Sequence, residues 1–293
     1  MKQHPLVTII IATYNRAETL QYAINSVLWQ TYSNFELLVV GDACTDHTDQ
    51  IMKNYTDDPR VFWYNLPENS GYQSVPNNFG IQKGKGKYIA YLNHDDLWLP
   101  NHIEALVHHL ENTEGDFAFS ILYWAYCSRP SRLEIPVLPE MPIPPEATAI
   151  LHRRDVVDRI GGWKDIHETF AYPRVEFFRR AQFAGLSFDS VPVVSAVKFL
   201  WAEENYNDVG PQPEYMELIK NQPNFFQKDV LKKLMELQRE QNTSISSFLL
   251  RPSKWGDMLR LLAIRNRIHP AQLKFWKGKG QRIKKWRRLH RLT

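Results

Sequence analysis

"LVTIIIATYNRAETLQYAINSVLWQTYSNFELLVVGD", residues 6–42, decides the fold. Its first eight residues, "LVTIIIAT", are a β-branched run without a polar face, as expected of a strand covered on both sides in a parallel sheet. In "NRAETLQYAINSVLWQ" the period changes, and Leu20, Ile24, Val27 and Leu28 fall on one face of a helix. Asn15 with Glu18 three residues on has the form of a capping box. "FELLVVGD" (35–42) then reads as a second buried strand.

The alternation continues outward from there. A polar turn and a short helix lead to the strand "RVFWYNL"; "QSVPNNFGIQKG" is a helix with Pro76 in its first turn; "GKYIAYLN" (86–93) is a fourth strand. This order predicts an α/β chain with an open, mostly parallel sheet flanked by helices, whose ligands bind beyond the carboxyl ends of the strands. Thr13, Tyr14, Asn15, Asp42, Asp95 and Asp96 all lie at such ends. From about Phe117 the alternation breaks. A strand is followed by the proline-rich "IPVLPEMPIPPEA" (135–147), which reads as an extended loop, and later by two short strands, "LSFDSV" and "VVSAVKFL". Beyond about residue 205 the pattern is mostly helical.

Composition sets further bounds. Cys44 and Cys127 are far apart and in no metal-ligand spacing, which argues against a zinc site or a disulfide-stapled fold and for a reducing, cytoplasmic setting. The apolar run near the N-terminus is too short for a secretory leader, and no stretch has the length of a membrane span. The net charge of +4 is unevenly placed: residues 251–293 hold 14 Lys and Arg against the single acid Asp257. The last twenty residues, 274–293, interleave Trp276, Ile283, Trp286 and Leu289 with nine basic side chains. That is the composition of an amphipathic segment at an anionic membrane; a solvated tail and a nucleic-acid binder are the alternatives, the latter least favoured.

"YLNHDDLWLP" (91–100) carries the chemistry. In isolation, adjacent acids read plainly as a helix cap and a solvated neighbour. At the end of a buried strand, in a sheet whose other strand ends are polar, two hard oxygen ligands suit Mg²⁺ or Mn²⁺ held together with nucleotide phosphates.

The blocks "VTIIIATYNR", "AINSVLWQTYSNFELLVVGDACTD", "NSGYQSVPNNFGIQKGKGKYIAYLNHDDLWLP" and "RIGGW" resemble those of family-2 glycosyltransferases with the GT-A fold, over roughly residues 5–200. The resemblance implies a GT-A domain at 1–205, with a nucleotide-sugar half to about 115 and an acceptor half from 116, and a mostly helical, basic C-terminal region at 206–293. It implies a metal-dependent, inverting transferase moving a sugar from a nucleoside diphosphate sugar, a UDP-sugar being the donor expected first, to the hydroxyl of a glycan or lipid-linked acceptor. The setting would be bacterial surface polysaccharide or glycolipid synthesis, in the cytoplasm or at the inner face of the membrane. Tyr14 would stack on the base and Asp42 hydrogen-bond it; Thr13, Asn15 and Asn78 complete the donor-binding set. Asp95 would face the ribose or sugar, and Asp96 would hold the metal. Glu176 is the candidate base, with Glu168 and Asp165 behind it, although counting back from Gly185 puts Arg174 at the base position. If Glu176 only pairs with Arg180 at i+4, the base lies elsewhere. Gly161 and Gly162 read as a helix stop, with Trp163 bordering an acceptor pocket.

Departures from the family pattern are Gly41 and Cys44 in the "GDAC" block, Asn77 where an arginine is usual, and His94 ahead of the acids, which fits a metal ligand or a histidine behind the ligands. No later histidine completes a metal site, and Lys198 could compensate phosphate charge instead. Two rivals follow. A sugar nucleotidyltransferase would need a glycine-rich loop after the first strand, and "ATYNRAET" has no glycine. A degenerate, non-catalytic nucleotide-sugar or membrane-binding protein would fit the substitutions at 41, 77 and 174.

Overall fold

The structure is a computed structural model that describes residues 4–126, 132–134, 146–169, 171–200 and 210–242. Strand β1 (Val7–Thr13) pairs in parallel with β2 (Phe35–Gly41), and β2 with β3 (Val61–Asn65), so that Thr13, Gly41 and Asn65 end level with one another. On the other side of β1 runs β4 (Tyr88–Tyr91), also parallel. The connections are α1 (Ala17–Leu28), the short α2 (Thr48–Met52) and α3 (Ser74–Lys83).

Alternate residues of β1 explain why both faces must be covered. Ile9 and Ile11 pack with Leu20, Ile24 and Val27 of α1, whereas Ile10 packs with Ile81 of α3 on the opposite face. Adding a Cβ to Gly80 would bring it within 2.8 Å of the Ile10 side chain, so α3 can lie this close only because that position is glycine.

Past β4 the sheet becomes mixed. The two-residue β5 (Leu97–Trp98), α4 (His102–Asn112), β6 (Phe117–Tyr126) and β7 (Arg132–Glu134) precede β8 (Ile150–Arg153), which inserts antiparallel between β4 and β6. Helices α5 (Asp155–Ile160) and α6 (Pro173–Phe183) lead to β9 (Phe188–Leu200), parallel to β6, and the order is β3-β2-β1-β4-β8-β6-β9-β5, with β7 on β6. The longest ladders are parallel, as expected for the α/β class.

Two local expectations are corrected. "LSFDSV" and "VVSAVKFL" form one strand, not two; the ladder with β6 jumps from Ser120↔Val191 to Ile121↔Val194, absorbing Pro192, which has no N–H to donate. The capping box also does not form. Asn15 is at φ 48°, Arg16 takes the cap position, and the Asp46 carboxylate accepts from the Ala17 N–H at 3.2 Å.

Helices α7 (Gln212–Asn221) and α8 (Pro223–Asn242) place Ile219, Phe226 and Val230 in a core shared with Leu97, Leu99, Val197 and Phe199. Among the described residues, the stretch from 210 to 242 is mostly helical, with these two helices packed on the sheet. The expected boundary at 205, Cys127, the proline-rich stretch to 145 and the basic segment 274–293 lie outside the described residues. No described helix is long and apolar enough to cross a membrane.

Candidate active site

The level ends of β1 and β2 and the chain leaving β4 border a cleft of about 560 Å³, within the range of small-molecule sites. Thr13 and Tyr14 line it from β1, Asp42 from β2, and Asn93, His94 and Asp95 from the segment after β4. Tyr14 is 47% exposed, so its ring is available to a flat ligand.

Asp42 is buried, and its carboxylate accepts from the Ser70 N–H at 3.0 Å, the Ser70 hydroxyl at 2.8 Å and the Gly71 N–H at 3.1 Å. It thereby holds the 69–73 segment, from which Asn69, Gly71, Tyr72 and Gln73 line the cleft. Asn15 does not line it. Its Oδ1 accepts from the backbone of Thr45 at 2.8 Å and of Asp46 at 3.2 Å, bracing the loop after β2. The departure at Gly41 has a steric reason: a Cβ there would come within 2.6 Å of Trp63 and 2.7 Å of Asn65. Asn65 instead bonds both the N–H and the carbonyl of Cys44, at 2.8 and 3.0 Å.

The paired acids point in different directions. Asp95 lines the cleft, receives no hydrogen bond on its carboxylate from any described residue, and is fixed through its backbone carbonyl, which accepts from Gln212 of α7. Asp96 is fully buried and does not line the cleft. Its carboxylate accepts from Thr148 Oγ1 at 2.5 Å, Asn93 Nδ2 at 2.7 Å and the Phe199 N–H at 3.2 Å, and faces Lys198 Nζ at 3.4 Å. Burial pushes the Asp96 carboxyl upward, opposed by the Lys198 ammonium and these donors. Burial alone would lower Lys198, but Asp96, Glu146 and Asp95 outweigh it and hold its ammonium above the ordinary lysine value. His94 Nδ1–H donates to the Ala12 carbonyl at 3.2 Å, which leaves Nε2 as an acceptor, and burial lowers its pKa.

The far wall carries Lys198, Tyr172 and an ion pair, Arg174 with Glu146, at 2.7 Å. Glu176 is not on it. Arg180 Nε donates to both Glu176 oxygens at 2.8 and 2.9 Å, Lys164 lies at 3.6 Å, and Arg180 in turn binds the carbonyls of Ile160, Gly161 and Gly162. Gly161, at φ 77°, ends α5. Asp165 and Glu168 also fall outside the cleft wall, Asp165 accepting from the His167 N–H at 2.7 Å in a short turn. Trp163 is buried and stacked on Phe177 at 5.2 Å, so its ring is not offered to a sugar; Tyr72 and the 48%-exposed Tyr172 are the aromatic groups beside the ion pair.

Asn78 is likewise away from the cleft, donating to the Trp163 carbonyl at 2.7 Å and accepting its N–H at 2.8 Å. Asn78→Ala orphans both backbone groups and should lower the free energy of unfolding by about 1–3 kcal/mol, measured in urea. A loss below about 0.5 kcal/mol would show that water replaces the amide.

Sequence reasoning missed Asn65, Glu146, Thr148 and Gln212. None sits in a motif; each is recruited from a distant segment.

Comparison with known proteins agrees with this architecture. The model of glycosyl transferase family 2 matches residues 8–182. A Rickettsia typhi protein named as an uncharacterized glycosyltransferase is 43% identical over 118 residues, 39% of this chain and 36% of its own length. Escherichia coli WcaA, a glycosyl transferase named for colanic acid biosynthesis, is 31% identical over 160 residues, 54% of this chain and 56% of that protein. The chain thus spans about a third to just over half of these relatives. Among solved structures, S. aureus TarS 1–349 in complex with UDP-GlcNAc superposes with a TM-score of 0.57 at 16% identity, over 68% of this chain and 59% of that one. A Pyrobaculum calidifontis mannosyltransferase in complex with GDP-Man and Mn²⁺ gives 0.57 at 14%, over 93% and 87%. These two likenesses speak to the fold. With the family match running through β1, β2, β4 and every residue of the cleft except Lys198, this chain belongs to glycosyl transferase family 2.

Proposed function

We propose that this chain is a metal-dependent, inverting glycosyltransferase that moves a sugar from a nucleoside diphosphate sugar, a UDP-sugar first, to a hydroxyl of a glycan or lipid-linked acceptor. The observation that carries the reading is the cleft itself, which brings together an exposed Tyr14, a fixed Asp42, Asp95 and the Lys198 ammonium. A base would stack on Tyr14 while the diphosphate runs towards Asp95. Thr13 lines the path between them. The names of the colanic acid relative and of a Bacillus subtilis relative named for teichuronic acid biosynthesis support a role in surface polysaccharide synthesis; the basic, tryptophan-bearing composition of residues 274–293 supports work at the cytoplasmic face of the membrane.

The donor set fits a divalent cation of the Mg²⁺ or Mn²⁺ type only in its open form. Among the described residues no three His, Cys, Asp or Glu side chains converge as a cage. One cleft-facing carboxylate, Asp95, with diphosphate oxygens and water is the usual arrangement for such ions bound with phosphates. Asp96, expected as the ligand, would act from behind, holding Lys198. When bound, the ion would neutralise the leaving diphosphate. Lys198 adds fixed positive charge on the same side, and Tyr72 and Tyr172 would orient the acceptor.

The test is thermal shift with UDP, GDP and dTDP, each with and without Mn²⁺, on wild type and Asp95→Ala. One diphosphate at 100 times its Kd should stabilise the wild type by about 2.7 kcal/mol, a shift of several degrees, only with metal, and the variant should lose that gain. Failure of all three to bind would end the transferase reading. Arg174 on the cleft wall favours a second reading, a nucleotide-sugar binder without turnover, and metal-dependent donor hydrolysis by wild type would exclude it.

A further inference from the structure

Among the described residues, three carboxylates line the cleft: Asp42, Asp95 and Glu146. Asp42 is consumed by Ser70 and Gly71, and Asp95 lies where the segment leaves β4. Glu146 comes from a third segment, is paired with Arg174, and acts with Asp95 on the Lys198 ammonium. Its side chain is 17% exposed and receives Arg174 Nη2 on Oε1 at 2.7 Å, while Oε2 has no hydrogen-bond partner among the described residues.

Its backbone is anchored as well. The Glu146 carbonyl accepts from the Ala149 N–H at 3.0 Å, and Ala147, Thr148 and Ala149 are buried. Trp98 Nε1 donates to the Thr148 carbonyl at 2.6 Å, and the Thr148 hydroxyl binds Asp96 at 2.5 Å. One short turn therefore presents a carboxylate to the cleft and, two residues on, ties itself to the Asp96 cluster. A guanidinium on one oxygen aims the group, with the other oxygen open.

Building on the transferase reading above, we infer that Glu146 is the general base of this chain, positioned by Arg174. The acceptor oxygen attacks the anomeric carbon, its proton passes to Glu146 Oε2, and the bond from the anomeric carbon to the diphosphate oxygen breaks with its electron pair leaving on the diphosphate. Glu176, closed off by Arg180, has no part in the transfer.

The experiment uses the full chain with UDP-GlcNAc, UDP-glucose and GDP-mannose, each with Mn²⁺, water serving as acceptor and released diphosphate as the signal. Glu146→Gln should lower kcat by about 10²- to 10⁴-fold and abolish the acid limb of the wild-type pH profile, while the diphosphate-induced thermal shift stays as in wild type. Glu146→Asp should recover part of the rate. A Glu146→Gln rate within about threefold of wild type, or loss of the acid limb in Glu176→Gln instead, overturns the assignment and leaves the transferase reading standing. A wild type that binds no diphosphate and hydrolyses no donor overturns both.

Discussion

Asp96→Ala is expected to lower the free energy of unfolding by about 3–5 kcal/mol, the loss typical of removing one partner of a buried ion pair. The carboxylate is fully buried and satisfies donors from three separated segments, Asn93, Thr148 and Phe199, besides facing Lys198. Without it the Lys198 ammonium loses its nearest carboxylate and keeps only the weaker pull of Glu146 and Asp95, and the Phe199 N–H, at the end of β9, has no acceptor. Urea unfolding measures the effect. The double variant Asp96→Ala with Lys198→Met removes the stranded charge and should recover at least half of the loss. A single variant within about 1 kcal/mol of wild type would mean that water enters and solvates the lysine, and that the cluster is not a structural post.

Stability should also fall steeply with acid. His102 and His152 are fully buried and held neutral, pushed down by burial to about 3 and about 4 respectively. His102 stacks on Trp98 at 4.4 Å and meets the Ser195 hydroxyl at 2.8 Å; His152 bonds the Tyr91 hydroxyl at 3.0 Å and donates to the Arg153 carbonyl at 2.7 Å. In the unfolded chain each takes a proton as pH falls through about 6.5. The unfolded state therefore binds more protons, so this stabilisation is complete above pH 6.5 and is lost as pH falls towards 4. The Asp96 carboxyl, raised by burial to about 7, works in the opposite sense over the same range and cancels one of the two. A net slope of just under one proton, below about 1.4 kcal/mol per pH unit, remains, about 2 kcal/mol between pH 6.5 and 4.5. Below that, the lowered carboxyls of Asp46, Asp58 and Glu111 add losses of the same sign. Unfolding free energies at pH 7.5, 6.5, 5.5 and 4.5 test this, and His102→Gln should flatten the curve by one proton. A free energy constant between pH 7 and 5 would contradict the assignment.

Much of the cleft was legible because it depends on local chain features. A short, fully apolar run ending in polar residues reads as a buried strand end, and Thr13, Tyr14, Asp42 and Asp95 all reach the cleft as that pattern implies. The i,i+4 spacing of Glu176 and Arg180 offered their ion pair as the alternative to a catalytic Glu176, and the structure contains that pair. What the pattern left open was which of two adjacent acids turns inward. That choice belongs to β9, whose Phe199 N–H and Lys198 arrive 103 and 102 residues later and meet Asp96 rather than Asp95.

The same distinction separates the rest of the site. Hydrophobic patterning, a short fully apolar run for each covered strand and a 3.6-residue repeat for each helix, determined the α/β class, the parallel half of the sheet and the edge at which the cleft lies, since each element must bury its own apolar face. Tertiary structure alone decided that Glu146 and Arg174 share a wall, that Asn78 clamps the backbone of Trp163 85 residues away, and that Gln212 secures the Asp95 carbonyl. The physical reason is range. Periodicity records which face of an element is dry, whereas a hydrogen bond or ion pair forms only between atoms about 3 Å apart, and folding alone brings segments that are distant along the chain to that separation.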